Sequence, residues 1–81
     1  MYIENKIFDE IRRQRIGANG IWRFQQYWGV FAINKLNANE RKGFYNTMNN
    51  LCEQKIFTSE PYRSNTINYR LTEYGEHIIY D

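Results

Sequence analysis

Residues 37–71 constrain the fold most, because the spacing of apolar side chains changes there from that of a helix to that of a strand. Phe44, Met48, Leu51 and Cys52 fall at i, i+4, i+7 and i+8, one face of a helix. The opposite face carries Arg41, Lys42, Tyr45, Asn46, Asn49 and Asn50, with Glu53 as its acid near the end. Asn37, followed three residues later by Glu40, forms a capping box with Asn in place of Ser or Thr; Asn39 is the competing cap. The helix is therefore expected over 38–54, ending near Gln54 or Lys55. Farther on, Ile67, Tyr69 and Leu71 alternate with Asn68 and Arg70, as a strand with one buried face requires. A hairpin over 56–71 follows. Pro61 is disfavoured inside a sheet, so the tip is expected from Pro61 to Asn65, with Arg63 on it.

The flanking segments add helices. Ile3, Ile7, Phe8 and Ile11 mark a first amphipathic helix over about 3–15. Its acids, Glu4, Asp9 and Glu10, come early and Arg12, Arg13 and Arg15 come late, which suits the helix dipole. The Arg cluster reads first as a solvated helix end and second as a phosphate contact. Gly17-Ala18-Asn19-Gly20 breaks this helix. Between 21 and 33, Ile21, Phe24, Trp28 and Phe31 have helical spacing, and a second helix is favoured. Ile21-Trp22-Arg23-Phe24 also suits a short strand, since aromatics favour strands. Gly29 weakens the helix without forbidding it, and Gly43 in the third helix is a point where another backbone can approach. Thr72 is an N-cap for a short terminal helix carrying Tyr74, Ile78 and Ile79. The fold class expected is mainly α with a small β-hairpin (α+β), in one domain over residues 1–81.

A chain of 81 residues buries only about 60% of its unfolded surface, so the core is small. Two Trp, seven Tyr and five Phe offset this by burying large areas per residue, and they also suit a dimer interface. The net charge of +2 is modest, so any nucleic-acid argument rests on where the charges sit. Ten Asn stand out; a coding sequence rich in A and T explains them as readily as function does. A lone cysteine, Cys52, forbids an internal disulfide and reads as a small core residue. The amino terminus shows no signal-peptide pattern and no apolar run approaches membrane length. The expected setting is cytoplasmic, away from membranes.

Three pieces of the chain resemble a winged helix-turn-helix domain of the bacterial transcriptional-regulator kind. Phe44-Tyr45-Asn46-Thr47-Met48-Asn49-Asn50-Leu51 resembles a recognition helix. Glu53-Gln54-Lys55-Ile56-Phe57 is similar to the exit from that helix, although the family usually has Gly where this chain has Lys55. Tyr69-Arg70-Leu71-Thr72-Glu73-Tyr74-Gly75 looks like the Y-x-L-T-x-x-G segment joining wing to final helix. These lie within residues 37–80. The resemblance implies a three-helix core, a wing and a short C-terminal helix. It also implies sequence-specific binding of double-stranded DNA by a homodimer that regulates transcription; the terminal helix, with Ile78, Ile79 and Tyr80, and the first helix are the candidate dimer surfaces. An α-helix fits the major groove. Arg41 and Lys42 would reach phosphates or guanine, or stand as solvated charges. Asn46, Asn49 and Asn50 would pair with adenine, although each alone reads first as a surface residue. Tyr45 would touch the backbone or pack at the boundary of the core. Arg63 would meet the minor groove or a phosphate, and Arg70 would either join them or pair with an acid across the strands.

Catalysis finds little support in the residues. His77 is the sole histidine and has no nucleophile beside it in sequence. One Cys and one His do not make a zinc site, and no phosphate-binding glycine motif occurs. No enzyme, metal or cofactor is expected. The competing reading is a protein-interaction module on the same scaffold, with Trp22, Tyr27 and Trp28 as aromatic anchors.

Overall fold

The computed structural model describes residues 2–63 and 66–81. Its elements run α1 (Ile3–Gln14), β1 (Ile21–Trp22), a π-helical turn (Phe24–Trp28) continuing as α2 (Gly29–Lys35), α3 (Ala38–Glu53), β2 (Phe57–Arg63), β3 (Thr66–Leu71) and α4 (Glu73–Tyr80). Among the described residues the fold is α+β, with four α-helices and a three-stranded antiparallel sheet in the order β1-β3-β2. Among the described residues, no helix is long and apolar enough to cross a membrane.

Local chemistry sets the helix ends. The Asn37 side chain accepts the Glu40 amide at 2.9 Å, and Glu40 Oε1 accepts the Asn37 amide at 2.9 Å, closing the capping box. Lys6 Nζ also reaches Glu40 Oε1 at 2.8 Å, tying α1 to α3. The Lys6 bond, with the Asn37 amide behind it, holds the Glu40 carboxyl below its ordinary value. At the other end of α3, Lys55 adopts φ 65°. Its amide bonds to the Cys52 carbonyl at 3.0 Å and the Ile56 amide to the Leu51 carbonyl at 3.0 Å, the paired closure of a Schellman motif. Helix α1 ends the same way, with Arg15 at φ 57° and Ile16 bonded back to Ile11. Thr72 Oγ1 accepts the Gly75 amide at 2.8 Å and starts α4.

The segment 21–33 divides between its two expected readings. Ile21 and Trp22 pair with Arg70 and Tyr69 as a strand, and helix begins only at Phe24. The Phe24 amide is capped by Asn68 Oδ1 at 3.0 Å. The helix opens with a wide turn in which the Gly29 amide closes on the Phe24 carbonyl. A Cβ on Gly29 would stand 2.6 Å from that carbonyl oxygen, so glycine permits the turn. Gly43, by contrast, has nothing within 4 Å of where its Cβ would lie, so no backbone approaches there.

Pro61 is a second correction. It lies inside β2, opposite Ile67, rather than in the tip. An edge strand tolerates Pro because its missing N–H would face away from the ladder, and β2 is an edge. The register then shifts between Pro61 and Arg63, leaving Tyr62 as the extra residue of a bulge. Of the expected tip, Ser64 and Asn65 lie outside the described residues.

The core is aromatic. Trp22, fully buried, meets Phe31, Phe44 and Phe57 at ring separations of 5.4, 6.2 and 6.4 Å. It thereby joins β1 to α2, α3 and β2. Trp28 stacks on Phe44 at 5.0 Å and meets Tyr69 at 5.7 Å. Ile7, Ile11, Met48, Leu51 and Leu71 complete the interior. Cys52 packs against its margin, where burial pushes the thiol up.

Candidate nucleic-acid interface

Helix α3 is held from one side. Phe44, Met48 and Leu51 point inward and are 2%, 0% and 2% exposed. The spacing that buries these three turns Lys42, Tyr45, Asn46, Asn49 and Asn50 outward, and all five are exposed. Side-chain hydrogen bonds around this helix gather at its first turn, on Asn37, Glu40 and Arg41. The three amides beyond it remain open to solvent. Tyr45 is half exposed, its ring edge-on to Trp28 at 5.7 Å and to Phe44 at 5.6 Å, which fixes its direction.

Arg41 is placed differently from Lys42. Its Nη1 donates to the Ile33 carbonyl at 3.2 Å and the Leu36 carbonyl at 3.0 Å. These are carbonyls at the end of α2 and just beyond it, so Arg41 fastens α2 to α3. Arg70 lies on the outer face of the sheet. Its guanidinium pairs with both carboxylate oxygens of Glu60 across the strands and donates to the Asn19 carbonyl at 2.5 Å. This ion pair keeps the Glu60 carboxyl below its ordinary value. The cross-strand alternative for Arg70 is the arrangement observed, and it separates Arg70 from the α3 face.

Arg63, near the hairpin end, is exposed. Its guanidinium carbon sits 5.1 Å from the centroid of the Tyr62 ring, a cation–π arrangement. The pair straddles the register shift of the hairpin, and Tyr62 joins Arg63 as an exposed residue there. The adjacency of an exposed Tyr and Arg beside a Pro was the available signal.

The charge along α3 is uneven. Its first half offers Lys42. Its last turn offers Glu53, which lines a shallow hollow with Glu4, Thr47, Asn50 and Gln54. Acids from α1 and α3 therefore bound the amide row at that end. A second hollow of about 380 Å³ on the outer sheet face is lined by Arg23, Gln25, Gln26, Tyr62 and Asn68 among others, and its carboxylate is the Arg70-paired Glu60. Among the described residues no group of three or more His, Cys, Asp or Glu side chains is placed to hold a metal ion.

The expected aromatic anchors do not form a surface. Trp22 and Trp28 are 0% and 2% exposed; Tyr27 alone of the three reaches solvent. The burial of Trp28 agrees with its place on the Phe24-Trp28-Phe31 stripe; that of Trp22 has no such local signal, because the pairing of β1 with β3 turns it inward. Compared with known proteins, the chain matches no protein family, no curated protein and no solved structure.

Proposed function

We propose that this chain is a small DNA-binding protein of winged-helix architecture, which lays α3 in the major groove and sets the β2–β3 hairpin beside it as the wing. One observation carries the reading: a helix braced by Phe44, Met48 and Leu51 exposes Lys42, Tyr45, Asn46, Asn49 and Asn50 with their polar ends open. The helix is 16 residues long, about 24 Å at 1.5 Å per residue, and a major groove about 12 Å wide admits such a rod. The element order and the β1-β3-β2 sheet support the winged assignment. Lys42 and Arg63 are the phosphate-reaching cations of this reading; Arg41 and Arg70 brace the scaffold. Regulation of transcription by a homodimer is the setting this implies.

Few free cations on one copy favour a second. Tyr74 and Ile78 lie one helical turn apart on α4, and both are exposed. That face suits a second copy of the chain. The docking alternative loses Trp22 and Trp28 to the core.

The test is fluorescence anisotropy with mixed-sequence duplex DNA at low salt. Lys42→Ala and Arg63→Ala should each weaken binding while leaving the fold intact by circular dichroism. Undiminished binding by both variants would remove this face from the contact. Sedimentation of Ile78→Ser against the wild type tests the α4 face, where loss of a dimer is the expected result.

A further inference from the structure

Resting on that DNA reading, we infer that the amide row of α3 selects a short run of A·T base pairs. The helix rises 1.5 Å per residue, so Asn49 and Asn50 stand about 4.5 and 6 Å beyond Asn46 along its axis. Base pairs repeat at about 3.4 Å. The amides therefore address positions one to two steps apart, which are neighbouring base pairs. Asn49 and Asn50 are consecutive, so they diverge by about 100° around the helix, toward opposite sides of the groove.

Base chemistry then chooses. The amide of Asn carries one acceptor and one donor group side by side. Adenine presents N6–H₂ and N7 in the complementary order, whereas guanine presents two acceptors and would leave the amide oxygen unpaired. Guanine is ordinarily read by a guanidinium or ammonium. The guanidinium on α3 belongs to Arg41, which is held on the Ile33 and Leu36 carbonyls. Lys42, one turn before Asn46, is the cation of α3 left to approach a base or phosphate. At the far end Glu4 and Glu53 flank Asn50 and oppose phosphate. The read segment is thus bounded between Lys42 and Asn50, about 12 Å of helix or three to four base-pair steps, with the A·T run inside it.

The experiment uses the full chain and two sets of duplexes of equal length, alike in their flanks, with a central block of either A·T or G·C pairs in scrambled order. Affinities are measured by anisotropy at one low salt concentration. Tighter binding of the A·T set is expected, by roughly 5- to 150-fold for each amide that pairs fully. The triple variant Asn46→Ala, Asn49→Ala, Asn50→Ala should abolish the difference in affinity between the A·T and G·C sets. Equal affinity of the wild type for both sets overturns the inference and leaves the DNA reading standing. A preference that survives the triple substitution overturns it too, since DNA shape would then be the cause. Binding to neither set at low salt overturns the DNA reading itself.

Discussion

Lys55→Gly should make the protein more stable, although it removes a side chain and a charge. Lys55 holds φ 65°, the left-handed region. There its Cβ crowds the following carbonyl, at a cost of about 1–2 kcal/mol that glycine escapes. Glycine loses more conformational freedom on folding, which returns about 0.5–1 kcal/mol. The net gain in backbone terms is therefore about 0.5–1 kcal/mol. The position cannot relax by itself, because the Lys55 and Ile56 amides both close on carbonyls of α3 and Ile56 is anchored in the core. The Lys charge at a helix C-terminus is favourable, so Lys55→Ala supplies the reference: it removes the charge and keeps the strain. Urea unfolding of the two variants isolates the backbone effect. Each 1 kcal/mol in a domain of this size corresponds to about 4–8 °C in Tm. A Gly variant no more stable than the Ala variant would refute the reasoning.

Glycines elsewhere should respond with opposite signs. A Cβ on Gly75 would lie 2.1 Å from the Ile56 carbonyl oxygen, which also accepts the Thr72 amide; Gly75→Ala should lose about 1–3 kcal/mol by overpacking, read from urea midpoints. Gly43→Ala, with open space at that point, should gain about 0.5–1 kcal/mol by the same measurement. Trp22→Ala should lose about 3–5 kcal/mol, as a large ring leaving a packed core does; thermal unfolding within 1–2 °C of wild type would show Trp22 to be peripheral. Glu10 is 6% exposed. Burial raises its carboxyl, but hydrogen bonds from Arg13 and Gln14 outweigh that and hold it below the ordinary value. A depressed folded-state value means the contribution is present above the unfolded-state pKa and is lost as pH falls through the folded-state one. Glu10→Gln should therefore flatten the acid limb of stability against pH, measured by urea midpoints below the ordinary carboxylate range.

What the sequence disclosed follows from range. The Asn37–Glu40 box, the Phe44-Met48-Leu51 stripe and the Thr72 cap depend on residues a few positions apart, and each is present in the structure. The alternation in β3 holds for the buried Tyr69 and Leu71, while Ile67, toward the hairpin end, is exposed. Strand β1 is different. Two residues form a strand only because Arg70 and Tyr69 lie beside them, and nothing near Ile21 in sequence announces that partner. Pro61 misled for a related reason, since its tolerance in β2 depends on which strand is outermost. Of the candidate face, the exposed positions on α3 were legible from period alone. The engagement of Arg41 with two carbonyls and of Arg70 with Glu60 and Asn19 was not, because a cation in a sequence does not show which acceptor it faces. Lys55 was legible as a departure from a glycine habit, and the reason for that habit is the left-handed backbone found there.

Under the proposed DNA-binding function, the division of cations between scaffold and face also sets how binding should respond to salt. With Arg41 and Arg70 engaged internally, Lys42 and Arg63 are the cations on the α3 and hairpin faces left for phosphate. Each phosphate neutralised contributes about −0.9 to the slope of log K against log salt. One copy should therefore show a slope of about −1.8, and a dimer engaging both copies about −3.6. Affinity at a chosen site would then rest more on amide pairing than on counterion release, so sequence discrimination should persist at salt concentrations where non-specific binding has been lost. Titrations on a single duplex across salt concentration measure the slope directly. A value steeper than about −6 would require further basic groups to face the DNA: Arg15, or Arg12 and Arg13 after release from their bonds to Asp9, Ile79 and Glu10.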